Sequence, residues 1–210
     1  IPYFNVGNCS FTVAYDSQEE VYKSFFKELE EAVDHLYKYS QATPIVAKAS
    51  DVVYDGNALR WAKLGNSLML RLAMRVRYVA PELSKMWAEK AMSHAAGLIE
   101  SVDDAAYISD KAGFRTRNAI FTIKGSYNDT RMGATIQSYL KGYNDPRMRV
   151  YFEGNTDVAV PPAIPSSAAA YEGAAKPNFG EFSPTYWFKA SEVAFLKAEA
   201  ALAGYTVQGT

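Results

Sequence analysis

Apolar residues return at the 3.6-residue spacing of amphipathic helices along most of this chain. The first such stretch predicts a helix from about Gln18 to Tyr39. Val21, Phe25, Leu29, Ala32, Val33 and Leu36 form its buried stripe, and Lys23, Lys27, Glu30, Glu31, Asp34 and Lys38 its wet face. Ser17 and Glu20 form a capping box that satisfies backbone N–H groups at the helix start. His35 falls on the wet side. Asp55-Gly56 then predicts a turn and Asn57 an N-cap. The second helix, from about Ala58 to Val79, is apolar on most sides, which places it centrally. Its one polar stripe is Arg60, Lys63, Ser67, Arg71 and Arg75, and those cations call for carboxylate partners on neighbouring helices.

Pro81 suits the first position of a third helix, about Pro81 to Ile99, with Leu83, Trp87, Ala91, Ala95 and Leu98 inward. His94 stands at the edge of that stripe and reads as a hydrogen-bonded boundary residue. From Asp103 to Thr130 the pattern breaks into polar loop sequence. A short helix follows at about Arg131 to Lys141, with Gly142 as its stop and Asn144-Asp145-Pro146 as a turn. Tyr151 to Ser183 is punctuated by Pro161, Pro162, Pro165 and Pro177 and by Gly154, Gly173 and Gly180. It reads as a long irregular segment of the kind that carries function. The last helix runs from about Ser191 to Ala203 and ends at Gly204. The fold class is therefore all-α with long irregular loops. Its consecutive helix pairs make a helical-hairpin scaffold of tetratricopeptide type, without a clean 34-residue repeat.

Composition narrows the function. With 210 residues, one domain or part of one is expected, and 49% hydrophobic residues suffice for a core. A formal net charge of −1 argues against nucleic acid as a partner, because phosphate binding relies on uncompensated Lys and Arg. The single cysteine, Cys9, rules out an intrachain disulfide framework, and no apolar run reaches the roughly 20 residues that span a bilayer. The chain opens at Ile1 within folded sequence and closes just after a helix stop. Both termini of a longer protein are expected to lie outside it.

Catalytic motifs are missing. No GxSxG, HExxH, P-loop or GxGxxG occurs, and two His leave little material for a triad. No cofactor or metal is expected, although Asp103-Asp104 could serve as calcium ligands or as a helix cap. A glycoside hydrolase needs only two carboxylates, so that class stays open on 23 acidic residues. Binding is the better reading. Fifteen Tyr among 14% aromatics supply apolar faces with polar tips that suit sugar rings. The aromatics in irregular segments are Tyr107, Phe114, Tyr127, Tyr171, Phe179 and Trp187. Of these, Trp187, Tyr171 and Tyr127 are the candidate ligand platforms, while Trp61 and Trp87 fall on helical stripes and read as core.

Several stretches resemble the SusD/RagB family of outer-membrane nutrient-binding lipoproteins. Ile1-Pro2-Tyr3 is similar to its Pro-Tyr segment, and Tyr15 to Tyr22, YDSQEEVY, to its Tyr-Asp-Ser-Gln-Glu helix start. Asp51 to Arg75, DVVYDGNALRWAKLGNSLMLRLAMR, is the most specific match, departing at Asn57, Arg60 and Gly65 where Asp, Lys and Ala are common. Tyr143 to Met148 resembles the Asn-Asp-Pro-Arg motif, and Ser191 to Ala200 the Ser-Glu-Val-x-Phe-Leu-x-Ala-Glu-Ala helix.

The resemblance implies a SusD-type scaffold spanning residues 1–210. It would lack the N-terminal lipidation region, for which Cys9 does not stand in, and the C-terminal helices. It further implies a lipid-anchored protein on the outer-membrane surface. Such a protein captures an oligosaccharide without covalent chemistry and passes it to a SusC-like TonB-dependent transporter. Peptide or another nutrient is the alternative cargo.

Overall fold

The computed structural model describes residues 2–108, 117–163 and 168–207. In chain order its elements are α1 (Gln18–Ala42), α2 (Ala58–Arg75), α3 (Pro81–Ser93), β1 (Ala106–Ile108), α4 (Ala119–Thr122), α5 (Ala134–Gly142), α6 (Met148–Tyr151), β2 (Phe152–Glu153), β3 (Lys176–Pro177), β4 (Thr185–Phe188) and α7 (Ala190–Leu202). The chain divides into two compact units, Ile1–Tyr107 with Tyr186–Thr210, and Ile108–Thr185. No described helix is long and apolar enough to cross a membrane.

In the first unit α2 is central and packs against α1, α3 and α7. Its start is capped by the Asn57 side chain, which accepts from the Arg60 amide, as Ser17 accepts from Glu20 at the start of α1. The core gathers Phe26, Tyr54, Leu70, Ile99, Phe188 and Val193, with Ala73, Ala88, Ala91 and Ala200 letting the helices close up. A smaller seam of Val33, Ala62 and Ala96 lies beside it. Three of the four cations on the polar stripe of α2 are taken up inside the unit, while Arg75 is exposed. Arg60 donates to the Asp103 carbonyl, Lys63 pairs with Asp104 at 2.8 Å, and Arg71 clasps Glu192. Asp104 is thus a partner of Lys63, and the Ser101 hydroxyl caps the 3₁₀ turn that holds it. His94 closes α3 and bonds Asp34 at 3.0 Å, the boundary role expected of it.

Several boundaries differ from the periodic pattern. The buried phenylalanine of α1 is Phe26, not Phe25, and Ala32 is exposed. Phe26 stacks on Trp87 with centroids 5.1 Å apart, while Phe25 meets the Tyr3 ring edge-on. The second helix stops at Arg75 rather than Val79 and the third at Ser93 rather than Ile99, and Ala95 is exposed. Val76, Leu98 and Ile99 are nonetheless buried, so the apolar pattern there records burial by turns and extended chain. The segment expected as loops carries β1, the short α4 and a π-turn over Ile123–Tyr127. The following helix starts at Ala134 instead of Arg131. Trp61 and Trp87 pack against the core but remain partly exposed.

The second unit is held mainly by backbone pairing around Met132. Its amide donates to Ala175 O at 2.7 Å, and its carbonyl accepts from the Val160 amide at 2.8 Å. β2 and β3 pair antiparallel, Phe152 opposite Pro177. The buried Lys124 is neutralised by Glu153 at 2.7 Å.

Candidate ligand-binding site

The turn before α2 is a polar lock. Asp51 Oδ1 accepts from the Val53 and Tyr54 amides at 2.9 and 3.1 Å, and Oδ2 from the Gly56 amide and the Trp61 indole N–H, both at 2.7 Å. Partial burial pushes this carboxyl up, but the indole and the three amides outweigh it and hold it below the ordinary aspartate value. Gly56 has φ +78°, and a Cβ there would sit 2.3 Å from Val46 O, so only glycine fits. Trp61, pinned by Asp51, stands edge-on to Tyr54 at 5.4 Å. Tyr54 donates to the Asp104 carbonyl at 2.8 Å, and burial drives its phenol well above the usual value.

A second lock fixes β4 to α7. Arg71 Nε and Nη2 bond Glu192 Oε1 and Oε2 at 2.6 and 2.8 Å, a bidentate pair, and the guanidinium lies 3.8 Å from the centroid of the Phe188 ring. Nη2 also reaches Trp187 O at 3.4 Å. Buried Phe188 is therefore the anchor, and strand alternation sends Trp187 the other way. Trp187 is 47% exposed, as is Tyr186, whose ring lies beneath Lys189 Nζ at 4.0 Å and against Tyr107 at 5.2 Å.

Two clefts of the first unit meet at Trp187. One, of about 440 Å³, is lined by Tyr186, Trp187, Lys189, Ser191, Phe195 and Glu199 among others. It combines exposed aromatic faces, Phe195 being 77% exposed, with an ammonium, a hydroxyl and carboxylates. Both acids of this cleft face arginine: Glu192 is clasped by Arg71, and Glu199 lies 3.4 Å from Arg77. The other cleft, of about 810 Å³, is bounded by Tyr39, Val46, Val53, Trp61 and Trp187, with His35 and Ser50 also on its wall.

Of the expected platforms, Trp187 lines both of these clefts. Tyr127 and Tyr171 belong to the second unit, where Arg131 ties their segments together. Its Nε donates to Tyr171 O at 3.1 Å, Nη1 to Asn128 O at 2.9 Å, and Nη2 to Asn128 Oδ1 at 2.9 Å. Tyr127 is 67% exposed and Tyr171 half-buried. Tyr107 and Phe179 are half-buried, and Phe114 lies outside the described residues. Sequence reasoning passed over Tyr186, Phe195 and Lys189. Tyr186-Trp187 with an aromatic two turns on, Phe195, was the available signal. Among the described residues no group of three or more His, Cys, Asp or Glu is placed to hold a metal ion.

A family model described as SusD-like, for Susd and RagB outer membrane lipoproteins, matches residues 1–210. A chitin-binding SusD homolog from Flavobacterium johnsoniae is 36% identical, with TM-score 0.91 over 100% of this chain and 45% of its own. A SusD-like protein from Bacteroides thetaiotaomicron is 32% identical, with TM-score 0.87 over 100% of this chain and 45% of its own. A SusD homolog from Bacteroides uniformis is 35% identical, with TM-score 0.83 over the same shares, 100% and 45%. This chain spans less than half the length of those structures. No curated protein matches it.

Proposed function

The chain belongs to the SusD-like family, and from that premise we propose that it is part of a lipid-anchored outer-membrane surface protein that captures oligosaccharide and passes it to a SusC-like TonB-dependent transporter. The observation that carries the binding part is the cleft at the β4–α7 junction. Tyr186, Trp187 and Phe195 offer exposed aromatic faces there, beside Lys189 and Ser191. Sugar rings are amphipathic slabs. Their C–H faces stack on aromatic rings while their hydroxyls bond polar groups at the edge. Capture of this kind needs no covalent step.

Chitin-type oligosaccharides are the first ligands to test, because a relative 36% identical over the whole of this chain is chitin-binding. Tyr127 and Tyr171 would add a platform in the second unit, with Arg131 positioning both. The experiment is affinity electrophoresis and calorimetry of the intact protein against a panel of soluble polysaccharides and oligosaccharides. Saturable binding without turnover is expected, weakened about fivefold or more in Trp187→Ala, since stacking on one aromatic is worth about 1–3 kcal/mol by analogy with base stacking. Binding to none of the panel would refute glycan capture and leave peptide or another nutrient as cargo.

A further inference from the structure

We propose that the 810 Å³ cleft receives an apolar substituent, an alkyl, acyl or aryl group, carried by the saccharide held in the neighbouring cleft. This inference rests on the saccharide reading above. Its first support is the chemistry of the wall. Leu36, Tyr39, Val46, Val52, Val53 and Trp61 dominate it. The polar side-chain atoms of Asp51 and Trp61 on that wall are already consumed: both Asp51 oxygens accept two bonds each, and the Trp61 N–H is spent on Asp51. The Val46 amide likewise donates to Gly56 O at 2.8 Å. A sugar ring placed there would strip water from its hydroxyls and find few bonds in return, which binding does not tolerate. An apolar group would lose nothing and release water from an open hydrophobic surface.

The second support is connectivity. Trp187 is the one residue that lines both clefts, and the two walls otherwise share none. A saccharide stacked at the β4–α7 junction therefore has the apolar cleft as its immediate neighbour, across the residue that holds it. The two volumes differ in character in the way that the two ends of an acylated or aryl-substituted glycan differ. Ligand pockets of this size are expected to bury most of a small ligand.

The test uses methyl, butyl and phenyl β-glycosides of chitotriose, cellotriose and maltotriose, titrated calorimetrically into the intact protein. Each buried methylene improves affinity about fourfold. The butyl and phenyl glycosides of the recognised series should bind about tenfold or more tighter than the methyl glycoside, allowing for partial burial. Tyr39→Ala with Val46→Asn, both at exposed positions, should erase that gain and leave the methyl glycoside unchanged. Phe195→Ala should weaken all three alike. Equal affinities within a series that binds, or a gain that survives the Tyr39/Val46 variant, overturn this inference alone. Failure of every glycoside, methyl included, overturns the saccharide reading with it.

Discussion

Replacing Asp51 by Asn changes no shape and removes one charge, yet it should strike the first unit hard. Asn keeps an oxygen for the Val53 and Tyr54 amides. Its NH2 then stands where Oδ2 met the Gly56 amide and the Trp61 indole N–H, each at 2.7 Å. Turning the amide over only exchanges which two donors face the NH2. Donors meet donors, and two groups lose their acceptor. An orphaned buried donor costs about 1–3 kcal/mol. Gly56 is buried and cannot turn to water, whereas Trp61 is half-exposed and partly can. The expected loss is about 2–4 kcal/mol near neutral pH.

The sign of the pH dependence follows from the carboxyl being held below its ordinary value. Its stabilisation is fully present above the unfolded aspartate pKa of about 3.9 and fades as pH falls through the lower folded value. Wild type and Asp51→Asn should therefore converge below about pH 4. All three tryptophans, Trp61, Trp87 and Trp187, lie in the first unit. Urea titration followed by tryptophan fluorescence reads that unit by itself. A midpoint shift at pH 7 with unchanged slope is expected, and loss of the hydrogen-bonded Trp61 indole resonance in an NMR spectrum should accompany it. A variant within about 0.5 kcal/mol of wild type at pH 7, or a deficit that stays constant down to pH 3, would refute the lock.

Two further changes probe the frame. Gly65→Ala should gain about 1 kcal/mol of helix propensity but drive a Cβ to 2.8 Å from Val33 Cγ2, a stiff β-branched atom. A net loss of about 1 kcal/mol is expected by urea titration, with Val33→Ala compensating in the double variant. Additive effects would sink that account. Arg71→Lys removes the second bond to Glu192 and the planar cover over Phe188, so it should cost about 1 kcal/mol and weaken saccharide binding through the loosened Trp187 strand. Glu192→Gln, which keeps one acceptor for Arg71, should cost less, and the reverse order would count against the clamp.

Much of the frame was legible because its signals are local. Ser17, Asn57 and Gly204 act through their own neighbours, so the starts of α1 and α2 and the stop after α7 lie within a residue or two of expectation. The C-terminal ends of α2 and α3 were overrun for a physical reason. Periodicity measures which side chains are buried, and Val76, Leu98 and Ile99 are buried without being helical. Gly97, in the left-handed region at φ +74°, was the sequence mark of that break. Phe25 was taken for the inward ring of a Phe-Phe pair because the choice depends on Trp87, a distant residue. The larger cleft was not legible for the same reason. It joins the end of α1, the turn before α2 and Trp187, and no local pattern links them.

The division between frame and ligand surface has a consequence for specificity. Residues that carry the family resemblance spend their polar atoms on one another: Asp51 on Trp61 and the turn amides, Glu192 on Arg71. They can be kept while the ligand changes, because those polar atoms are already committed to the frame. Tyr186, Trp187 and Lys189 are under the opposite constraint, and so is Phe195 although it falls within the stretch that resembles the family. Each is exposed or nearly so, and the fold requires only Phe188 from that strand to fill the core. Substitutions at the four positions should therefore leave stability within about 0.5 kcal/mol while redirecting affinity among saccharides. The same scaffold can then serve different cargoes by exchanging side chains on one strand and the first turns of one helix.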